Sequence, residues 1–426
     1  MKSFQEMDLF ESLQKRLAEL EYTEPTPIQA QTIPAAVDGQ DILGCAQTGT
    51  GKTAAFALPI LDYLGHEKPR AQPGRPLVLV LAPTRELAIQ IGQSFHTYGK
   101  HIPFRQTLVY GGVGQGQQVR SLEKGAHVLV ATPGRLIDLM EQGHIKLSDV
   151  EILVLDEADR MLDMGFMPAI RKIIAKLPKE RQSLFFSATM PPKIRELSED
   201  LLFNPFSVNV TPKTTSVKRI QQSVRLVERG EKVDQLIKVL SGDDVNRSIV
   251  FTKTKRGANA LATKLEKRGI PAVAIHGNKS QAARQKALTA FRQNRISVLV
   301  ATDVAARGID IDDVTHVVNF DMPMEPESYV HRVGRTGRAG AAGIAISFCT
   351  ADEFDKLRDI ERLIGEKLRL QNPDAKLSAA KSAPSGGRRG GSAGNGNRPQ
   401  RSGRPANGSG KRPKKRFGKR RETARA

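Results

Sequence analysis

Two short runs of residues carry the groups that phosphoryl transfer requires. Residues 46–53 form a glycine-containing loop that ends in a lysine and a threonine, the pattern of a P-loop whose backbone amides and side chains hold nucleotide phosphates. Asp156 and Glu157 follow the apolar run of residues 152–155, and Asp156 stands 110 residues beyond Ala46. Carboxylates at the end of a buried strand suit metal binding and water activation. Together the two runs predict an ATP-hydrolysing core.

Each residue type in these runs has a distinct task. Lys52 is expected to neutralise the β- and γ-phosphates, and Thr53 and Asp156 to hold Mg²⁺ directly or through water. Glu157 is expected to orient and deprotonate the attacking water, with a plain helix-end carboxylate as the alternative. The first loop position departs from the usual pattern, because it is alanine and not glycine. The residues expected to contact ATP here are Ala46, Gln47, Thr48, Gly49, Thr50, Gly51, Lys52 and Thr53.

Short Val/Leu/Ile runs alternate with longer helical patterns along the chain. This alternation is typical of parallel sheets with crossover helices. The predicted strands cover residues 77–81, 128–130, 152–155, 248–251, 298–300 and 317–319. A helical pattern closes the folded part through Phe354, Leu357, Ile360, Ile364 and Leu368.

One short sequence occurs twice. Residues 128–132 recur as residues 298–302, and each copy follows a glycine-containing strand end, at residues 110–112 and 276–277. The match is short enough for chance to explain it, but it favours one α/β fold used twice. Residues 211–216 form a loop-type cluster with few apolar side chains and are the candidate linker between the halves.

The composition predicts packed domains and a basic tail. The chain has 426 residues, of which 39% are hydrophobic, enough for two to three domains with ordinary cores. Lys and Arg outnumber Asp and Glu by 66 to 45, a net charge of +21. Residues 381–426 hold 15 of these cations and a single acid, Glu422, so this segment carries +14. It is rich in Gly, Ser, Pro and Asn, and is expected to be disordered.

Other compositional features bear on the compartment. Cys45 and Cys349 each end an apolar, strand-like run, where cysteine acts as a small hydrophobic side chain, so we expect no disulfide. The N-terminus has no apolar signal region, and no run approaches the length of a membrane helix. The eight histidines show no metal-ligand spacing, so zinc chemistry is not expected. These features predict a cytoplasmic protein without a membrane partner.

In its motifs and their order, the chain resembles the DEAD-box ATP-dependent RNA helicases of helicase superfamily 2, and within them the bacterial RhlE type. The resemblance covers residues 1–370 in unbroken motif order. Glu21 departs from the family pattern, which has glycine before the aromatic of the Q motif. Besides the P-loop and residues 156–159, the resemblance rests on residues 21–29 with Phe4, 83–88, 111–112, 132–135, 187–189, 276–277, 281–284, 301–310 and 331–338.

The resemblance implies a fold and a division into domains. Two tandem RecA-like domains are expected, each an α/β unit with a mostly parallel sheet and helices on both faces, followed by a disordered basic tail. The expected segments are a Q-motif region (residues 1–31), an ATP-binding domain (32–210), a linker (211–219), a second RecA-like domain (220–370) and the tail (371–426).

The resemblance also assigns the remaining nucleotide contacts. The amide of Gln29 has a donor and an acceptor, so it can bond the adenine edge at two points and reject guanine. Tyr22 is expected to stack on the base, with a buried core tyrosine as the alternative. Arg335 and Arg338 lie three residues apart and suit arginine fingers, with a surface salt-bridging pair as the alternative. The further contacts implied are Phe4, Thr26 and, on the ribose, Asp310.

RNA is expected to lie across both domains, held mainly by its phosphates and sugars. The RNA contacts implied by the resemblance are Pro83, Thr84, Arg85, Gly111, Gly112, Thr132, Pro133, Gly134, Arg135, Gln281, Arg284 and Thr302. Residues implied to couple ATP hydrolysis to RNA binding are Asp159, Ser187, Thr189 and His331. The family mechanism implies local, non-processive unwinding of short duplexes and remodelling of RNA or ribonucleoprotein.

The tail is expected to add sequence-independent RNA affinity, with a merely solubilising tail as the alternative. Partners in ribosome assembly or RNA decay are compatible with this prediction. Two other functions remain open at this point. The first is a non-catalytic RNA clamp that uses ATP only to lock onto RNA; the presence of Glu157, Arg335 and Arg338 argues against it, because a clamp without turnover does not need them. The second is a DNA translocase on the same fold, against which only the family resemblance argues.

Overall fold

The computed structural model describes residues 3–46, 49–210, 220–303, 314–337 and 342–372. All of them belong to the first of the two units into which the chain divides, residues 1–380. The predicted linker and the basic tail beyond Asn372 lie outside the described residues.

The first sheet has seven strands in the order β3-β4-β2-β5-β6-β1-β7, and every neighbouring pair is parallel. Parallel pairing requires a crossover between successive strands, which the helices provide. The strands are β1 (Ile42–Cys45), β2 (Val78–Leu81), β3 (Gln106–Val109), β4 (Val128–Ala131), β5 (Ile152–Leu155), β6 (Gln182–Ser187) and β7 (Phe206–Asn209).

The second sheet repeats the first. Its order is β10-β11-β9-β12-β13-β8-β14, again all parallel, so each strand occupies the place of the strand seven numbers earlier. The recurring sequence falls on β4 and β11, which are equivalent, and the prediction of one fold used twice is confirmed. The strands are β8 (Ile220–Leu226), β9 (Ser248–Phe251), β10 (Ala272–Ile275), β11 (Val298–Ala301), β12 (His316–Asn319), β13 (Gly343–Cys349) and β14 (Arg369–Leu370).

Helices cover both faces of each sheet. In β2, Val78 and Val80 pack into one core cluster, while Leu79 and Leu81 pack into another on the opposite face. The helices with the first sheet are Glu11–Glu19, Pro27–Val37, Lys52–Glu67, Arg85–Tyr98, Gly116–Glu123, Pro133–Glu141, Ala158–Asp163, Met167–Ile174 and Pro192–Leu201. Those with the second are Lys232–Leu240, Lys255–Lys267, Gln281–Arg292, Pro326–Val333 and Phe354–Ile364; the short 3₁₀ segments are Phe4–Glu6 and Ala351–Glu353.

The six predicted strands are confirmed, with shifts of one residue at some ends. The six predicted strands are interior strands of their sheets that are buried along their length and read as mostly apolar runs. Strands such as β3 and β8 carry Gln, Thr, Ser or Arg and gave no such run. The last helix ends at Ile364 and not near Leu368, because Gly365 adopts a left-handed conformation (φ 73°) that ends it.

Two further features complete the fold. Among the described helices, none combines the length and the apolar character needed to cross a membrane. Cys349 is fully buried, and burial raises the pKa of its thiol to about 12, whereas Cys45 is half-buried; neither is in a disulfide.

Candidate active site and interdomain cleft

The P-loop connects β1 to the helix Lys52–Glu67 at the carboxyl edge of the first sheet. Gly51 has φ 94°, a conformation that a side chain would strain, and it directly precedes the helix. The Lys52 side chain is buried, and its Nζ donates a hydrogen bond to the Ala46 carbonyl at 2.7 Å. The lysine therefore folds over the loop that would enclose a phosphate. Gln47 and Thr48 lie outside the described residues.

Gln29 ties the Q-motif helix to the P-loop. Its Oε1 accepts a hydrogen bond from the Thr26 amide at 2.9 Å, and its Nε2 donates to the Gly51 carbonyl at 3.1 Å. A Cβ on Gly51 would lie 2.3 Å from that Nε2. An amide has two N–H groups and an oxygen with two lone pairs, so Gln29 still has one donor and one acceptor for an adenine edge.

The aromatic side chains of the Q motif form a cluster. Tyr22 lies 5.8 Å from Phe4 and 5.8 Å from Tyr98, measured between ring centroids, and its hydroxyl is 3.1 Å from that of Tyr98. Phe4 is fully buried, whereas 36% of Tyr22 remains exposed. Tyr22 thus has exposed ring surface on which a base could stack, and the buried Phe4 ring packs against it.

Asp156 follows the end of β5 and is almost fully buried. Burial raises the pKa of its carboxyl, and the positive charge of Lys52 opposes this rise. Its Oδ1 has no hydrogen-bond partner among the described residues. A buried carboxylate oxygen without a partner requires a cation or water, and carboxylate oxygen is the kind of ligand that Mg²⁺ prefers.

Glu157 belongs to a buried cluster of charges. Its backbone is left-handed (φ 55°), and its carboxylate accepts a hydrogen bond from the buried Arg160 guanidinium. Burial alone would raise the pKa of Glu157, but the positive charges of Arg160, Lys52 and Arg335 lower it to about 2. Glu157 is therefore held ionised at neutral pH, as a general base must be.

Arg335 is the residue of the second domain that acts on this cluster. It is buried, and its Nε donates to the His331 carbonyl at 3.1 Å. Burial and the positive charge of Arg160 lower the pKa of Arg335, Glu157 opposes them, and the net value is about 10. The predicted finger thus lies within electrostatic reach of the predicted base. Sequence reasoning missed Arg160; the signal was its i,i+3 spacing from Glu157 at a helix start.

Three of the predicted coupling residues are in direct contact. Asp159 Oδ2 accepts hydrogen bonds from the Thr189 amide (2.8 Å), the Thr189 hydroxyl (2.9 Å) and the Ala188 amide (3.2 Å). The Asp159 amide donates to Ser187 Oγ at 3.2 Å. A change at Asp159 would therefore be transmitted directly to the segment that follows β6.

The fourth predicted coupling residue, His331, lies elsewhere. It lines a small cavity with Arg160, Arg335 and Arg332. Arg332 is a buried structural residue: it pairs with Asp303 and donates to Asn319 Oδ1 at 3.1 Å. His331 thus shares a cavity with Arg160 and Arg335, two members of the charge cluster around Glu157.

Most predicted RNA contacts meet in one cleft of about 520 Å³. Residues of the second domain, Gly277 and Arg284, close one side of it. Met164 and Phe166, which sequence reasoning missed, add apolar surface. The predicted RNA contacts that line the cleft are Pro83, Thr84, Arg85, Gly111, Thr132, Gly134, Arg135 and Arg284.

Gly112 lies against Arg85 beside this cleft, and its left-handed backbone favours glycine. Gly112 has φ 80°, and a Cβ there would lie 1.8 Å from the Arg85 guanidinium. Thr84 caps the helix Arg85–Tyr98 by accepting from the Leu87 amide at 3.3 Å, which fixes the start of that helix. Pro133 is buried at the start of its own helix, and Thr302 directly follows β11.

Two residues predicted to bind RNA have a protein partner. The buried Glu86 accepts a hydrogen bond from Gln281 Nε2 at 3.1 Å and pairs with Arg284 Nη2 at 3.0 Å. Glu86 belongs to the first domain and the other two to the second, so this cluster joins the domains next to the cleft. Gln281 is not among the cleft-lining residues, whereas Arg284 is. The predicted contacts Asp310 and Arg338 lie outside the described residues.

Comparison with known proteins gives consistent matches. Residues 26–197 match the family model of DEAD/DEAH box helicases, and residues 231–340 match that of the helicase conserved C-terminal domain. A DEAD-box ATP-dependent RNA helicase CshA of Bacillus cereus is 46% identical over 86% of this chain and 69% of its own length.

Solved structures are also similar. S. cerevisiae Dbp5 bound to RNA and ADP BeF3 superposes with a TM-score of 0.77 at 32% identity, over 87% of this chain and 95% of that one. Mss116p bound to ssRNA and AMP-PNP gives a TM-score of 0.77 at 28% identity, over 86% of this chain and 78% of the other.

Proposed function

The chain belongs to the DEAD-box ATP-dependent RNA helicases, and from this premise we propose how its own residues divide the work between ATP hydrolysis and RNA unwinding. Its activity is that of an RNA-dependent ATPase that uses ATP to separate RNA strands. The observation that carries the residue assignment is the buried ion pair of Glu157 and Arg160, on which the buried Arg335 of the second domain acts electrostatically.

At the ATP end, the P-loop and Lys52 take the phosphates, and Gln29 and Tyr22 take the base. Asp156 and Thr53 would hold Mg²⁺, which neutralises phosphate charge when bound. Glu157 orients the attacking water and accepts its proton. The cations around Glu157 keep it ionised until then, since they lower its pKa to about 2.

Hydrolysis then depends on domain closure. Arg335 is supplied by the second domain and would stabilise the charge that develops on the transferred phosphoryl group. Glu157 and Arg335 influence each other electrostatically across the two domains. ATP entering between them would exchange this attraction for contacts to phosphate, so the site is complete only when both domains surround the nucleotide. Arg338 and Asp310 are proposed to act here as well.

Coupling passes through Asp159. The carboxylate that holds Thr189 and the Ala188 amide lies two residues from Glu157 on the same short helix. Movement of that helix when phosphate leaves would therefore shift the segment after β6. Ser187 and Thr189 are proposed to pass this movement on, and His331 to respond from the second domain.

RNA is proposed to bind in the cleft between Arg85, Arg135 and Arg284. These guanidiniums, the exposed backbone of the glycine turns and the hydroxyls of Thr84 and Thr132 offer contacts to phosphate and sugar that carry no sequence information. In the mechanism implied by the family, the closed form accepts a bent single strand, which a duplex supplies only by losing a few base pairs. Unwinding is therefore local and non-processive.

Several finer predictions rest on the sequence alone. The RhlE subtype rests on the motif resemblance, whereas the relative described above bears the name CshA. A cytoplasmic location, partners in ribosome assembly or RNA decay, the stated domain boundaries and a role of the tail in RNA affinity also stay predictions.

The RNA cleft is tested by substituting its arginines. Arg85→Ala with Arg135→Ala should weaken binding of a single-stranded oligouridylate at least tenfold, measured by fluorescence anisotropy at a stated salt concentration. The matched control is Arg171→Ala, a mostly exposed arginine paired with Glu196 on the first domain. Equal RNA affinity of the double variant and the control would show that RNA binds elsewhere.

A further inference from the structure

His276 is a buried histidine for which the proposed mechanism has no use. It follows β10 directly and has only 3% of its surface exposed. Neither ring nitrogen has a hydrogen-bond partner among the described residues. Buried imidazoles normally bond through at least one nitrogen, so this ring has hydrogen-bonding capacity left for a water or a polar ligand.

The position of His276 in the fold is informative, because β10 is the equivalent of β3. The residue after β3 is Tyr110, so the turn that begins at His276 corresponds to the turn of Gly111 and Gly112 beside the RNA cleft. Gly277 itself lines that cleft. His276 therefore belongs to the second domain's copy of a turn that is proposed to bind RNA.

The neighbouring helix repeats as well. In the first domain Thr84 caps the helix that begins at Arg85, and in the second Thr254 caps the helix that begins at Lys255, by accepting from the Gly257 amide at 3.0 Å. Arg85 packs on Gly112, and Lys255 Nζ donates to Asn278 Oδ1 at 3.2 Å, at the equivalent place in the turn. Each domain thus sets a cation against its own turn.

The main charged groups that lower the pKa of the ring are cations, one of which, Arg284, is itself paired with Glu86. They are Lys279 of the same turn, Lys255 of the helix Lys255–Lys267 and Arg284 of the helix Gln281–Arg292. Burial lowers the pKa of His276, and these three cations lower it further. The ring is therefore neutral at pH 7 without ligand, in a region of positive potential that suits a phosphate.

We propose that His276 contacts an RNA phosphate and takes up a proton when RNA binds. A phosphate beside the ring would offset the three cations and supply the missing hydrogen-bond partner, so the imidazolium form is favoured in the complex. RNA affinity then increases as the pH falls, by up to about tenfold per pH unit while the free ring is neutral and the bound ring is charged. This inference rests on the proposed RNA cleft.

Proton uptake tests the proposal directly. A decauridylate without terminal phosphates is titrated into the intact chain at pH 7 with a saturating ATP analogue, by calorimetry in buffers of different ionisation enthalpy. The same titration is made with His276→Gln and with His316→Gln. His316 is the matched control, because it is equally buried in the same domain and has a lowered pKa, but it has partners in Thr315 and Asp244.

The intact chain and His316→Gln should take up a measurable fraction of a proton, and His276→Gln should take up less. Between pH 8 and pH 6 the RNA affinity of the intact chain should also rise several-fold more than that of His276→Gln. Equal uptake in all three proteins would overturn the proposal. If His276→Gln does not fold, His276→Asn replaces it, with the thermal unfolding midpoint as the check.

Failure of the cleft is distinguishable from failure of His276. If Arg85→Ala weakens RNA binding while His276→Gln leaves proton uptake unchanged, the cleft stands and the role of His276 is wrong. If Arg85→Ala leaves RNA affinity unchanged, both the cleft and the inference drawn from it are wrong.

Discussion

The interdomain pair of Glu86 and Arg284 gives the most quantitative prediction. The two charges are 3.0 Å apart, and their side chains are only 4% and 10% exposed. At an effective dielectric constant of about 20, unit charges at this distance attract by about 5 kcal/mol. Desolvation of both groups offsets most of this attraction, so the net contribution of the intact pair is small.

Removing one charge of the pair costs more free energy than removing both, because the remaining charge is left buried and unpaired. The Glu86→Gln substitution keeps the size of the side chain and a hydrogen bond to Gln281 but leaves Arg284 uncompensated. Breaking a buried pair in this way costs about 3–5 kcal/mol. Since the neighbouring cleft admits water, we expect about 2–3 kcal/mol against the closed arrangement, or roughly 30- to 150-fold in the closing equilibrium.

The assay is energy transfer between dyes on the two domains, titrated with RNA at a saturating ATP analogue. Glu86→Gln should require at least ten times more RNA for half-maximal closure. Glu196→Gln is the matched control, since its ion pair with Arg171 is about 60% exposed and should contribute less than about 1 kcal/mol. Closure at the intact chain's RNA concentration in Glu86→Gln would refute the reasoning.

Three further predictions follow. Gly51→Ala should weaken ATP binding at least tenfold in equilibrium titrations. The left-handed backbone of Gly51 disfavours a side chain, and the Gln29 amide would lie 2.3 Å from the new Cβ. Gly143→Ala is the control and should leave ATP binding unchanged, because Gly143 has a similar φ of 81° but open space around it. Asp159→Asn should leave ATP affinity within about threefold of that of the intact chain but reduce the amount of RNA unwound per ATP hydrolysed. The same amount unwound per ATP in both proteins would contradict the role given to the contacts of Asp159 with Thr189. If about six tail charges contact single-stranded RNA, removing residues 381–426 should flatten the slope of log affinity against log salt by about 4, and an unchanged slope would leave the tail as a solubilising segment.

The part of the molecule that could be predicted from the sequence is the part built from contiguous residues. The P-loop, the carboxylates after β5 and the central strands are each a short run with a strong local pattern. The repeat of residues 128–132 correctly indicated a second copy of the fold, because equivalent central strands are buried on both faces.

What could not be predicted depends on contacts between distant segments. Glu86 and Gln281 are 195 residues apart, and nothing local indicates that a glutamate after Arg85 meets the second domain. The hydrogen bonds of Gln29 with Thr26 and Gly51 were not predicted either. The sequence indicated that Gln29 binds adenine, but not that it also holds the P-loop. Polar strands such as β3 were missed because their burial comes from their neighbours in the sheet.

The central claim is that Glu157 performs ATP hydrolysis in a site completed by RNA-driven domain closure. It is tested most directly by steady-state phosphate release from ATP, with and without single-stranded RNA or DNA, for the intact chain and for Glu157→Gln. The structure predicts strong stimulation by RNA and its loss, by a factor of about 10² or more, in Glu157→Gln. Hydrolysis that is indifferent to RNA, or that survives the substitution, would contradict this account.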